Sequence, residues 1–193
     1  FGLIGWVFSR SIVFLKARYA QWIPHPVWRN TIGGAVVVAA ALILQTQRYL
    51  GLSLPLLQES FNGQAHAYDF IGKLFFTVLS LGAGYQGGEV TPLFEIGATL
   101  GAALAPLLHV SVPFLAGLGF IGVFSGATNT PIACFVMGIE LFGSQAAVYF
   151  FMICLISFMC SGNSGIYSAQ QVAVKKGILF LPIVKRIKEK NKV

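Results

Sequence analysis

Apolar stretches too short to cross a bilayer, separated by glycine and proline, constrain this chain more than any other feature. Residues 31–44, 71–83, 92–108, 113–125, 131–142 and 145–160 read as apolar helices. A full span needs about 20 apolar residues, and several of these runs hold only about 12 to 18. Exposed backbone at membrane depth is tolerated only where it is buried in protein or lines a cavity. Discontinuous helices of this kind mark ion sites in secondary transporters. The composition fixes membrane as the solvent. The chain is 56% hydrophobic and only 10% charged, whereas a soluble domain carries about 25% charged residues. The expected fold class is all-α, multi-pass integral membrane, with discontinuous and tilted helices.

The remaining segments complete the outline. Residues 1–22 read as a further helix carrying Arg10, Lys16 and Arg18, interrupted by Pro24 and Pro26. Residues 52–66 read as a half-helix and a loop. A glycine cluster, Gly82, Gly84, Gly87 and Gly88, precedes the helix at 92. Gly162-Asn163-Ser164-Gly165 breaks the chain again, and a last amphipathic helix is expected from near Tyr167. Most of the formal charge of +7 lies in Lys175, Lys176, Lys185, Arg186, Lys188, Lys190 and Lys192, against Glu189 alone. The positive-inside rule places that end in the cytoplasm, so residues 1–174 are read as a transmembrane unit and 175–193 as a basic cytoplasmic tail. No nucleic-acid partner is expected. Cys134, Cys154 and Cys160 lie in apolar runs with no paired spacing. His25, His66 and His109 are isolated, so neither a metal site nor a cofactor is expected. Gly97 with Gly101, and Gly122 with Gly126, form G-x-x-x-G pairs suited to close helix packing.

The segment Gly87-Gly88-Glu89-Val90-Thr91-Pro92 carries the chemistry. Thr91 as N-cap and Pro92 at the first helical position would open a helix there. The first N–H groups of a helix have no partner within it, and the macrodipole adds partial positive charge. Two glycines leave the approach open. Such an end holds an anion without Lys or Arg, which favours release as well as binding. The same residues also suit a plain Gly-Pro turn between two helices.

Its company decides between these readings. Gly87 to Gly97 resembles the second anion-binding signature of the CLC chloride channel and transporter family, Gly-Gly-x-Phe-x-Pro followed by a glycine-containing helix. Gly122-Val123-Phe124-Ser125-Gly126-Ala127-Thr128-Asn129-Thr130-Pro131 resembles the family's helix break before a proline start. Met137-Gly138-Ile139-Glu140-Leu141 resembles its apolar helix ending in Leu-Glu. Residues 162–168 resemble the segment with its anion-coordinating tyrosine, here Tyr167. The order and spacing agree, and the resemblance covers nearly the whole chain, but only the second half of an inverted-repeat transporter. It implies anion transport, a homodimer in a prokaryotic-type inner or plasma membrane, and no enzymatic activity. The implied anion-binding residues are Gly88, Glu89, Val90, Thr91 and Tyr167. Glu89 and Val90 replace the usual apolar residue and Phe, which looks like the fluoride/proton antiporter branch. A chloride channel or chloride/proton antiporter is the family alternative. The partners implied are fluoride or chloride, protons, membrane lipid and the N-terminal half. The Gly-Arg-Glu-Gly gating loop of that half is not in this sequence. Because the chain starts at Phe1, within an apolar pattern, it is expected to be a fragment.

Two residues have competing readings. Glu89 either relays protons, as acids inside a membrane often do, or faces water or helix N–H groups. Tyr167 either donates to the anion or anchors at the interface. Phe94 and Phe124 are expected to pack; Glu95 and Glu140 are expected to bond backbone or hydroxyl groups. Gly162-Asn163-Ser164-Gly165 also fits a rhomboid-type serine protease motif, but no histidine base follows it. A non-transporting assembly subunit would use the G-x-x-x-G pairs equally well.

Overall fold

The computed structural model describes residues 1–85, 87–162 and 165–167. Among them the chain forms eight α-helices and no strand: α1 (Gly2–Trp22), α2 (Pro26–Ile43), α3 (Leu54–Phe61), α4 (Asp69–Gly82), α5 (Val90–Leu108), α6 (Val112–Thr128), α7 (Pro131–Phe142) and α8 (Ala147–Cys160). A 3-10 turn, Ser144–Ala146, leads into α8. The expected last helix and the basic tail lie outside the described residues.

Proline at an early helical position opens α2, α3, α6 and α7, where its missing N–H has no helical partner to lose. That is why α2 begins at Pro26 rather than at 31 as expected. Left-handed Asn129 ends α6 three residues beyond the expected stop, and His109 ends α5 in the same conformation. α2 and α5 are long and apolar enough to cross a membrane; α6, α7 and the stretch 144–160 are apolar but shorter. Twelve residues in α7 span only about 18 Å against a hydrocarbon core of about 30 Å.

α5 and α6 form the centre. Gly97 faces the Gly119 carbonyl and Gly101 the Leu115 carbonyl; an added Cβ would lie 2.2 Å from either oxygen. Side-chain-free crossings allow such approach. Gly126 lies against the backbones of Gly2 and Ser157, bringing α1 and α8 onto α6. Both G-x-x-x-G pairs are therefore packing surfaces. Leu93, Ile96, Val123 and Ala127 join Phe8 and Ile12 in one apolar cluster. Phe94 stacks on Phe120 at 4.0 Å between centroids and meets Phe124 edge-on at 4.8 Å, which is the packing role expected of both. Outer faces remain apolar: Val38, Leu42, Ile132, Val148 and Tyr149 are all exposed.

Candidate anion site

The start of α5 lies two residues earlier than Thr91-Pro92 predicts. Glu89 is the N-cap, in right-handed helical conformation, and Val90, Thr91 and Pro92 fill the first turn. Gly87 and Gly88 already make the turn, so helical geometry begins sooner and Thr91 is not a cap. Its hydroxyl is thereby carried on the first turn. Leu93 N–H bonds back to the Glu89 carbonyl at 3.3 Å; the N–H groups of Val90 and Thr91 precede the first such bond and have no partner within the helix. Among the described residues no side chain caps them. Neither Gly87 nor Gly88, among the described residues and chain neighbours aside, has an atom within 4 Å of where a Cβ would stand. The helix end is open among the described residues, the form that a backbone anion site takes.

Two cavities meet at this end. The larger, about 620 Å³, is lined by Lys16, Arg29, Gly84, Gly87, Glu89 and Ile166 among others. The smaller, about 280 Å³, includes Tyr49, Thr77, Ser80, Gly87, Gly88 and Pro92 in its lining. Gly87 belongs to both. Lys16 and Arg29 supply positive charge to the larger cavity at a remove from the backbone site. Tyr85 Oη donates to the Asn30 carbonyl at 2.9 Å and ties the approach to the start of α2.

Ile166, the residue before Tyr167, reaches the larger cavity from the far end of the sequence. Ile166 N–H bonds the Ala127 carbonyl at 3.0 Å, fixing the segment after α8 to the end of α6. Gly88 to Thr91 adjoin along the chain, and Glu89 and Ile166 share the lining of the larger cavity. Nearby in sequence, the Thr128 and Thr130 hydroxyls lie 2.7 Å apart at the break before Pro131.

Glu95 departs from expectation. It bonds neither backbone nor hydroxyl with its carboxylate. Instead its Oε2 lies 2.7 Å from the Lys73 Nζ, with both side chains almost wholly buried. This is an ion pair by distance rather than a well-aligned hydrogen bond, and Oε1 has no hydrogen-bond partner among the described residues. Lys73 was missed because it sits alone in an apolar run; a lone lysine within that run was itself the signal. Glu140 is exposed. Among the described residues no cluster of His, Cys, Asp or Glu has metal-holding geometry.

The sequence pattern of the voltage-gated chloride channels matches residues 1–162. A chloride/fluoride channel protein of Pseudomonas syringae pv. tomato is 44% identical over 182 residues, covering 91% of this chain and 40% of the relative. An H(+)/Cl(-) exchange transporter, ClcA of Vibrio campbellii, is 25% identical over 154 residues, covering 73% of the chain and 33% of the relative. The crystal structure of a CLC-type fluoride/proton antiporter superposes with a TM-score of 0.85 at 37% identity, over 88% of this chain and 43% of that one. The chain spans about two fifths or less of the length of these proteins.

Proposed function

The chain belongs to the voltage-gated chloride channel family, and from that premise we propose that it is the C-terminal half of an anion transporter that exchanges fluoride for protons. The observation that carries this reading is the open, uncapped start of α5 at Glu89-Val90-Thr91. Fluoride is small, strongly hydrated and a strong hydrogen-bond acceptor. Charge-assisted donors must replace its water at close range, and the Val90 and Thr91 amides with the Thr91 hydroxyl are such donors. Identity supports the ion: it is 44% to the chloride/fluoride channel protein and 37% to the fluoride/proton antiporter, against 25% to the chloride exchanger. Glu89, lining the larger cavity, is the proton-handling group, and Tyr167 is a further anion donor.

The complete pore needs the N-terminal half, and the functional particle is a homodimer. The apolar exposed faces of α7 and α8, with Ile132, Val136, Val148 and Met152, support burial against a second copy or lipid. Lys16, Arg18 and Arg29 gather near the α1–α2 turn with no salt bridge among the described residues, whereas Arg48 and Lys73 toward the other ends of the helices are paired with acids. By the positive-inside rule the α1–α2 turn faces the cytoplasm of a prokaryotic-type inner membrane, on the side of the basic tail at 175–193.

Anion efflux from liposomes containing the transporter with both halves tests the reading. Fluoride is expected to leave faster than chloride and to drive protons the opposite way. Chloride leaving faster would refute the fluoride assignment, and no efflux of either ion would refute transport.

A further inference from the structure

Lys73 sits where no charge is expected, 1% exposed and in the second turn of α4. A buried ammonium is unstable unless paired and hydrogen-bonded, so each of its contacts constrains geometry. Nζ meets Glu95 Oε2 at 2.7 Å on one side. On the other it donates to the Gly51 carbonyl at 2.8 Å and to Ser53 Oγ at 2.9 Å, with the Tyr49 carbonyl at 3.3 Å. One side chain therefore joins α5 to the loop at residues 49–53.

That loop is held firmly. Tyr49 Oη donates to Asp69 Oδ1 at 2.8 Å, and Arg48 bonds Asp69 Oδ2 at 3.0 Å and also pairs with Glu59. Gly51 and Ser53 both have left-handed backbone, with φ of 62° and 45°. For Ser53 this is a conformation that surrounding contacts must enforce. The loop and the anion site face each other: Tyr49, Gly51 and Leu52 line the 280 Å³ cavity whose other lining includes Gly87, Gly88 and Pro92. Glu95 is four residues after Thr91, about 6 Å along the same helix face. Lys73, Thr77 and Ser80 share one stripe of α4 at i, i+4 and i+7; Thr77 and Ser80 line that cavity.

We propose that Lys73 and Glu95 are positioning residues that set the distance between the Tyr49–Ser53 loop and the first turn of α5, and through it the anion preference of the site. The inference rests on the anion-transport reading. The pair touches no anion; it acts through the placement of the Val90 and Thr91 donors. A small anion needs those donors closer than a large one does. Loosening the pin relaxes the donor spacing, and fluoride loses more than chloride.

Stability and selectivity separate in the test, because apolar residues often replace a buried ion pair without loss of stability. Lys73→Met with Glu95→Leu removes both charges at once. In the reconstituted transporter with both halves, the double variant is expected to keep anion efflux while its fluoride-to-chloride ratio falls about tenfold, the loss of roughly one hydrogen bond to a charged group. An unchanged ratio would overturn the proposal. If the double variant does not fold, Ser53→Ala decides: it removes one Nζ contact on the loop side and leaves both charges in place. A smaller fall in the same ratio is expected, and no change would overturn the proposal. If the unaltered transporter moves neither anion, the transport reading itself fails, and the result differs visibly from a transporter that works with an unchanged ratio.

Discussion

Gly97→Ala measures how tightly the anion site depends on the α5–α6 crossing. The new Cβ would lie 2.2 Å from the Gly119 carbonyl oxygen, 2.6 Å from its carbon and 3.0 Å from the Phe120 Cα. Ordinary contact begins near 3.4 Å, so the helices must separate by roughly 1 Å. These three nearest atoms are all backbone, and no rotamer change moves them. Overpacking of this kind costs about 1–3 kcal/mol or more. The usual gain of about 0.5–1 kcal/mol for Gly→Ala inside a helix offsets only part. Gly117 is the internal control. It lies in α6, the helix that Gly97 faces, and the nearest atoms to its Cβ would be those of the Phe142 ring at 3.8 Å, so Gly117→Ala should stabilise by the propensity gain alone. Thermal unfolding of the purified protein in detergent reads both. At about 2–4 °C per kcal/mol for a chain of this size, Gly97→Ala should lower Tm by several degrees and Gly117→Ala raise it slightly. Gly97 is seven residues, about 10 Å, from Val90 along α5. A shift of the crossing therefore moves the site, and fluoride efflux should fall with Tm for Gly97→Ala only. Equal shifts for the two variants, or an unchanged Tm for Gly97→Ala, would refute the close crossing.

Other substitutions separate the roles assigned at the site. Glu89→Gln should preserve fluoride efflux and abolish coupled proton movement, read by a pH dye inside the liposomes; retained coupling would remove Glu89 from the proton path. Thr91→Val keeps the size and deletes the hydroxyl, and should weaken fluoride affinity about tenfold, the worth of one bond to an ion, seen as a rise in half-saturating fluoride. Tyr167→Phe should act in the same direction, whereas a simple interfacial anchor would leave fluoride affinity unchanged. Tyr49, in the loop between α2 and α3, is a pH reporter. Burial, then its hydrogen bond to Asp69, raises its pKa above the ordinary tyrosine value. The fold thus favours its protonated form. Its stabilisation is complete below a pH of about 10 and is lost as pH rises toward the folded value. Tyr49→Phe should flatten the alkaline fall in Tm, and an unaltered alkaline profile would refute the link.

The motif around Gly87 was legible because its chemistry is local. Glycines, a proline and an unpaired helix end act through neighbouring backbone, so sequence adjacency is enough to put Glu89, Val90 and Thr91 at one helix start, the candidate site. The exact cap was not legible. Thr-Pro is a strong start signal, but Gly87 and Gly88 make the turn early enough for Glu89 to take the cap. Tyr167 was a candidate only through resemblance, since what ties its segment to the fold is the Ile166–Ala127 bond between distant parts of the sequence. Lys73 with Glu95 was not legible as a pair. Twenty-two residues separate them, they lie on different helices, and each alone looks like an isolated charge in an apolar run.

The distribution of positive charge shows why such a pair belongs there. An anion held by a nearby full cation would bind strongly and leave slowly, whereas under the proposed function the first turn of α5 would offer only partial charge from its amides. Partial charges act at short range and depend steeply on distance and angle, so a site built from them requires rigid placement. The close α5–α6 backbone crossing fixes one side of α5. The opposite requirement, a fixed distance to the Tyr49–Ser53 loop across an open cavity, cannot be met by packing, because the cavity leaves nothing there to pack against. A long side chain with its charge neutralised by Glu95 and its remaining donors given to the loop's carbonyls and hydroxyl can span the gap beside the cavity without filling it. The Lys73 charge is thereby compensated before it reaches the anion, and what it contributes to the site is distance.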